Sequence, residues 1–500
     1  MKITKKLIVS NTLWPAVTQF GVMLISLFIL PLFIKNLGAE LYGIWVLSGV
    51  VSGYANVFDF GFTQGLQKYV AEARAKKDSH ELSEVVVSGT GLLFLIGLML
   101  GGGLFFGAGA IVDFFSIQPE NQLTAGRLLQ ISAVFCVISW PLRIVRVVLN
   151  ACMRMKEASI LEAVSGVVQS LIMLGMVLAA KDVVLIKWVS SAMATACSMY
   201  GLVLLRKYAP QIRWRLRSFH LHQIRRMHKF SLGMFYAALI GMMSIQVDSL
   251  VIGKLLGMTA VTAYAIASKL FTLVQRFSTL TITALMPAVY NLNTGDRGRI
   301  VRLLEESIRF RMMVSTFLSF GAILINKFFI LHWVGKEYLW TVKWSVLFLC
   351  ICPFIPLSNI STVLRGCGHV RFVNVFVTVK IIVNLVISIL LAPVLGIGGP
   401  IVGTAVSFSV LGEPGWFSFL NRKIGCSCRK VYLNMVKIIF CFGISLWFSM
   451  LVMRVVPWEM VGVVAAVGFY AVLSAGAGFF ILLLPEEREQ AFQFFKGLHK

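Results

Sequence analysis

The sequence predicts an all-α membrane protein of about 14 transmembrane helices, built as two parallel six-helix lobes around a central cavity with two extra C-terminal helices. Three observations predict it. The 500 residues are 58% apolar and 13% charged, with mean hydropathy +0.85, a balance that excludes ordinary soluble and disordered chains. Apolar segments recur 14 times at roughly the ~20 residues that cross a bilayer as a helix. Finally, parts of the sequence occur twice. Lys35-Asn-Leu-Gly38 with Tyr42 returns as Lys254-Leu-Leu-Gly257 with Tyr264, at an offset of 219. Leu149, Cys152 and Lys156 return as Leu364, Cys367 and Arg371, at an offset of 215. Internal duplication in a helical membrane protein is the usual mark of a transporter.

The first element follows Met1-Lys-Ile-Thr-Lys-Lys6 directly and reads as a transmembrane helix, not as a cleavable signal. The apolar segments lie near 12–34, 41–64, 85–111, 128–150, 160–180, 183–205, 229–252, 259–289, 307–330, 341–363, 372–392, 397–420, 432–453 and 460–484. Only Lys181-Asp182 separates the fifth from the sixth, and polar residues interrupt the eighth. The longest and most basic connection runs from Arg206 to Lys229 and divides six segments from eight. These boundaries give an N-terminal lobe at 1–206, a basic cytoplasmic linker at 207–228, a second lobe at 229–420, and two added helices with a tail at 421–500. An even number of helices per repeat makes both copies enter the membrane in the same direction, so the repeats are parallel.

The net charge of +25 suggests a nucleic-acid partner until it is sorted by loop. One set of alternate loops and tails carries 33 Lys and Arg, and the intervening set carries 9, among them Lys187. That bias is the positive-inside rule; it places both termini in the cytoplasm and accounts for the charge without nucleic acid. No phosphate-binding loop, H-E-x-x-H or nucleophile elbow occurs, and the external loops are too short to hold a catalytic domain, so the chain reads as no enzyme. Transport would then draw on an ion gradient or a partner. Cys350-Ile-Cys352 and Cys426-Ser-Cys428 have the wrong spacing for zinc, and neither disulfides nor metal are expected. His220-Leu-His222 reads as a solvated pair in a basic loop. The glycines at Gly101-Gly-Gly103 and between Gly396 and Pro400 read as sites of close helix approach.

Polar residues left inside the membrane carry the functional information. Lys269, Arg276, Lys380 and Lys437 remain within predicted helices, and Lys437 lies close enough to an end to snorkel. Lys269, Thr272, Arg276, Thr279 and Thr283 share one face of the eighth segment. Ser48, Ser52, Asn56, Asp59 and Thr63 recur on the second segment, and Lys380, Asn384 and Ser388 on the eleventh. Such stripes either tie helices together or line a water-filled cavity. The cavity is favoured because charges recur in both halves, and each isolated one costs at least ~2.5 to 3.5 kcal/mol at bilayer depth. Arg143 and Arg146 would extend the basic lining towards the cytoplasm. Basic groups outnumber Asp59, Glu162, Asp248 and Glu413, which favours an anionic cargo. Asp59, Asp248 and Glu162 are candidates for ion coupling or gating; helix packing is the other reading of Asp59, and Asp248 is placed to pair with Lys269.

Several stretches are also familiar: Leu30 to Val46, Phe58-Asp-Phe-Gly-Phe-Thr-Gln-Gly65, and Gln246 to Gly253 with Tyr264 through Pro287. They resemble the polysaccharide and O-antigen flippases of the multidrug, oligosaccharidyl-lipid and polysaccharide exporter superfamily, along essentially the whole chain. The resemblance implies movement of an undecaprenyl-pyrophosphate-linked oligosaccharide across the bacterial inner membrane by alternating access. Arg143, Arg146, Lys269, Arg276 and Lys380 would attract the pyrophosphate and sugar acids, with Thr272, Asn384 and the other polar stripes meeting sugar hydroxyls. It implies no cofactor beyond proton or sodium coupling, and a glycan polymerase with chain-length machinery as partners. Other readings are a drug or cation antiporter, a lipid II flippase, and a membrane-embedded glycan-assembly enzyme.

Overall fold

The computed structural model describes residues 5–55, 62–179, 182–283, 297–358, 364, 370–411, 428–456 and 459–482. All secondary structure among them is helical, and the described part of each of the fourteen apolar segments lies almost wholly on helix. Nine of the described helices are individually long and apolar enough to cross a membrane. The chain divides into two compact units: Met1–Thr262 with Ala392–Gly396, and Ala263–Leu391 with Ile397–Lys500.

In the first unit, α1 (Lys5–Leu37) and α2 (Ala39–Ala55) are followed by the amphipathic α3 (Phe62–Ala75) and by α4 (Ser79–Phe114). The carboxylate of Asp78 caps α4, accepting from the backbone N–H of His80 at 2.8 Å and of Glu81 at 3.0 Å. The next helix, α5 (Pro119–Ala151), starts on a proline, whose missing N–H costs nothing in the first turn. It is followed by α6 (Met155–Ala179) and α7 (Val183–Tyr208), the latter capped by Asp182 through the N–H of Val184 at 2.9 Å. The long α8 (Leu221–Leu256) and the short α9 (Met258–Ala267) come next.

Both copies of the Lys-x-x-Gly motif end a helix, with Gly38 at φ +92° and Gly257 at φ +85°. A side chain is strained in that left-handed region, which is why glycine recurs there. Gly97 and Gly101 bring α4 onto α5: a Cβ at Gly97 would fall 2.7 Å from the Cβ of Trp140, and one at Gly101 would fall 2.7 Å from the carbonyl oxygen of Ala133. Gly102 and Gly103 face open space. Around this seam Leu66, Val70, Val85, Leu93, Trp140 and Leu149 form a buried core.

The connection after α7 is strapped onto α3 and α4. Arg226 is ion-paired to Glu81 at 2.8 Å and to Glu72 at 3.3 Å, and lies over the ring of Tyr69 at 4.6 Å. The main-chain N–H groups of Arg213 and His220 donate to Ser83 (3.0 Å) and Ser88 (2.9 Å). The His220 side chain stays about half exposed on that basic loop, 3.6 Å from Glu84.

The second unit holds α10 (Lys269–Thr283), α11 (Arg297–Trp333), α12 (Val342–Ile351), α13 (Val370–Leu395) as far as Leu391, α14 (Gly398–Val406), α15 (Cys428–Val455) and α16 (Glu459–Ala477), with the C-terminal half of α9. Its core joins α11, α15 and α16 through Leu304, Met312, Phe320, Phe442 and Tyr470. The Tyr470 hydroxyl donates to the carbonyl of Phe317 at 3.0 Å and its ring stacks on that of Phe317. Outward-facing Phe, Leu, Val and Ile on both units, such as Phe28, Phe106, Val394 and Val472, are the side chains a lipid-facing helix carries.

Candidate functional site

Three helices of the first unit each present a polar stripe at helical spacing. On α5 the stripe is Ser132, Cys136, Ser139, Arg143, Arg146 and Asn150; on α6 it is Glu162, Ser165 and Gln169; on α7 it is Lys187, Ser191 and Ser198. Steps of three and four keep each set on one helix face. Ser139, Arg143, Arg146 and Asn150 of α5, the α6 stripe and Ser198 of α7 line, with Thr63 and Gln67 of α3, a cavity of about 710 Å³. A second chamber of about 250 Å³ shares Ser139, Arg143, Gln169 and Ser198 with the first, and adds Ser52, Ser132, Lys187, Ser191 and Thr195. The two chambers run on from one another along α5 and α7.

The charges of the larger cavity are two guanidiniums against one carboxylate among the described lining residues. Arg146 is ion-paired to Glu162, both side chains being more than half exposed. Arg143 is stacked over Trp140 at 4.0 Å, and Lys187 stands over Trp45 at 5.0 Å. A cation on an indole face is attracted by the ring's quadrupole and held in place by it. The hydroxyls have a particular polarity. Ser132, Ser139, Thr195 and Ser198 each donate back to a main-chain carbonyl three or four residues earlier. What they offer the cavity is acceptor oxygen. Donors must come from Arg143, Lys187 and the side-chain amides. Such a lining can hold an anion and take sugar hydroxyls, and no group of three metal-ligating side chains occurs among the described residues.

The expected site residues are distributed over both units. Arg143, Arg146 and Glu162 come together in the first-unit cavity. Asp248 is buried at 6% exposure on α8 in the same unit. Asp59 lies outside the described residues. In the second unit Lys269 is half-buried and Arg276 exposed on α10, where the Thr272 hydroxyl donates to the carbonyl of Ser268 at 2.9 Å. Lys380 on α13 stands over the Phe408 ring at 4.1 Å. Asn384, buried on the same helix, accepts from Ser388 at 3.1 Å and sits against Gly403 of α14.

Two cations were misplaced by sequence reasoning. Arg311 was counted among the 33 cations of the loops and tails, but α11 begins at Arg297 and Arg311 is 3% exposed within it. Its guanidinium donates to Ser278 at 3.0 Å and to Thr279 at 3.2 Å. Hydropathy reads the arginine-rich start of that helix as loop, because the periodicity is polar. Lys187 was counted with the external loops, yet it lies inside α7 and faces the smaller chamber. The signal that finds it is the helical spacing of Lys187, Ser191, Thr195 and Ser198, in steps of four, four and three.

A helical chain of many membrane-crossing segments, with a guanidinium- and hydroxyl-lined cavity inside one unit, is of the membrane transporter class. The chain belongs to the polysaccharide biosynthesis protein family, whose model matches residues 8–292, more than half its length. It is similar to a protein of Salmonella typhimurium strain LT2 named "Putative O-antigen transporter", with 21% identity over 430 residues, covering 82% of this chain and 95% of that protein. Its fold is that of the lipid II flippase MurJ in an inward closed conformation, at TM-score 0.71 and 15% identity, covering 93% of this chain and 98% of that one. The same fold is seen in an inward-facing multidrug resistance MATE family transporter of the MOP superfamily, at TM-score 0.61 and 14% identity, over 83% and 94% of the two chains. The protein is thus a multi-pass helical membrane protein of the polysaccharide biosynthesis family.

Proposed function

We propose that this protein carries an undecaprenyl-pyrophosphate-linked oligosaccharide from the cytoplasmic to the outer leaflet of the inner membrane, by alternating access, for O-antigen, capsule or exopolysaccharide assembly. The observation that carries this reading is the first-unit cavity, where Arg143 stands on Trp140 among acceptor hydroxyls and amides. A pyrophosphate wants fixed guanidinium donors, sugar hydroxyls want acceptors, and the polyprenyl chain can remain in lipid. The name of the Salmonella relative and the name of MurJ support the same class of cargo.

In this reading both termini face the cytoplasm, as the loop charges require, and two lobes at 1–206 and 229–420 alternate around the path. Lys269, Thr272, Arg276, Lys380 and Asn384 serve the path from the second unit. Glu162 moderates Arg146 and exchanges it during release, while Asp248 and Asp59 respond to the coupling proton or sodium ion. The protein transports without transforming its cargo, and delivers it to a glycan polymerase and its chain-length machinery.

The test is delivery of lipid-linked glycan to the outer leaflet by an Arg143→Ala variant. Loss of a charge-assisted contact worth about 1.5 to 3 kcal/mol lowers delivery roughly ten- to hundred-fold while membrane insertion is unchanged. Normal delivery by the inserted variant would remove Arg143 from the site. Efflux of a cationic drug, with no movement of lipid-linked glycan, would replace this reading by the antiporter one.

A further inference from the structure

We infer that the strap between α7 and α8, residues 211–220, is a binding surface for the headgroups of anionic phospholipids in the cytoplasmic leaflet. The choice of leaflet rests on the proposed orientation, and nothing in the surface depends on the cargo. The main chain of the strap is tied down along α4. The N–H of Arg213 donates to Ser83 at 3.0 Å and that of His220 to Ser88 at 2.9 Å, while within the strap the N–H of Arg215 donates to the carbonyl of Arg213 and that of Ser218 to the carbonyl of Arg215. The Phe219 ring lies against Gly91, where a Cβ would fall 2.8 Å from it. Ser83 and Gly91 are eight residues apart on α4, so the strap covers about 12 Å of that helix. It begins beside the polar first turns and reaches the apolar segment at 85–111. That is the level at which water gives way to hydrocarbon.

The side chains suit that level. Arg213, Arg215 and Arg217 are all exposed, and Trp214 and Phe219 keep 48% and 41% of their surfaces open, enough to meet acyl chains. Aromatic rings settle at the bilayer interface, and guanidiniums hydrogen-bond the phosphates there. The carboxylates nearby are committed to other partners. Glu72 and Glu81 pair with Arg226, Glu84 lies 3.2 Å from His80 and 3.6 Å from His220, and Asp78 caps α4. Among the described residues no carboxylate pairs with Arg213, Arg215 or Arg217, which leaves three guanidiniums to meet lipid phosphates. Gln211, two residues before Arg213, lines a cavity of about 410 Å³ with Arg74, Lys77 and Asp78, which gives room for the polar end of a headgroup. Phosphatidylcholine would bring its own cation to these arginines and phosphatidylglycerol would not, so the surface favours the anionic lipid.

The experiment titrates the full-length protein in detergent micelles with phosphatidylglycerol or phosphatidylcholine and counts bound lipid by native mass spectrometry. The wild type should bind phosphatidylglycerol at about one-tenth the concentration needed for phosphatidylcholine, with a smaller difference at high salt. Arg213→Gln, Arg215→Gln and Arg217→Gln combined should weaken phosphatidylglycerol about ten- to hundred-fold and leave phosphatidylcholine unchanged, because the strap is held by main-chain groups. Arg429→Gln with Lys430→Gln, which removes exposed charge at the start of α15, should change neither. Equal binding of the two lipids by the wild type overturns the surface. So does an equal loss in the two variants, which marks an effect of bulk charge. Glycerol 3-phosphate that displaces the lipid at matching concentration would make this a site for a small free anion instead. Should the triple variant fail to fold, Trp214→Phe decides: brominated phosphatidylglycerol should quench the fluorescence of the wild type more than that of this variant, and equal quenching overturns the placement. No cargo is present in these measurements, so their failure leaves the carrier function standing, and a failure of glycan transport leaves the lipid surface standing.

Discussion

Arg143 and Arg146 are three residues apart on one face of α5, and the sequence offers no reason to separate them. The structure does: Arg146 is paired with Glu162, whereas Arg143 rests on an indole. Glu162→Gln should therefore free the Arg146 guanidinium and tighten half-saturation by a pyrophosphate-linked glycan about two- to five-fold, the modest range of a half-exposed pair. Transport kinetics in vesicles check this, and weaker saturation would show that Glu162 itself holds cargo. Arg311 and Arg276 form a second contrast. Arg311→Ala removes a buried guanidinium that donates to the buried Ser278 and to Thr279, and should cost about 2 to 4 kcal/mol, seen as a lower Tm in detergent. Arg276 is exposed, so Arg276→Ala should leave Tm unchanged and, like Lys380→Ala, reduce glycan delivery. Loss of Tm in Arg276→Ala would make that residue a structural one.

At the scale of elements, spacing was a good guide to which residues share a face and a poor one to what the face meets. The stripe on α10 was legible as Lys269, Thr272, Arg276 and Thr279, yet Thr279 proves to receive the guanidinium of Arg311 from a helix whose first turns looked like loop. Glycine runs show the same limit. Gly101→Ile should push α4 from α5 and lower Tm, at a cost of about 1 to 3 kcal/mol, whereas Gly102→Ala meets nothing and should be neutral. The linker was readable only as basic; its attachment to Glu72, Glu81 and Glu84 depends on α3 and α4 folding back beneath it. The Asp78 cap gives this end of the unit a pH signature. The N–H groups of Glu81 and His80 hold its carboxyl below the usual carboxylate range, so the ionised form is the stabilising one. Asp78→Ala should lower Tm at neutral pH. The gap from wild type should persist down to a pH near the ordinary value of about 3.9, and close as the pH falls through the depressed folded value. A gap that stays constant below that range would show that the carboxylate contributes nothing through its charge.

At the scale of the whole molecule, the proposed placement of both termini in the cytoplasm rests on the excess of basic residues on one set of loops, which stays large once Arg311 and Lys187 are set inside helices. A fluorescent protein fused after Lys500 should therefore fold and fluoresce, and an alkaline phosphatase fused there should be inactive; the reverse pattern would invert the proposed topology. By itself the sequence determined the helical class, the apolar segments and the duplicated turns at Gly38 and Gly257. Each of these is set by local composition or short-range periodicity. Only the tertiary structure decided that α5, α6 and α7 turn their polar stripes towards one another, that Glu162 occupies Arg146, and that Lys187 faces a chamber. Those facts depend on the rotation of each helix about its own axis, which packing at contacts such as Gly97 on Trp140 and Gly201 on Val145 determines.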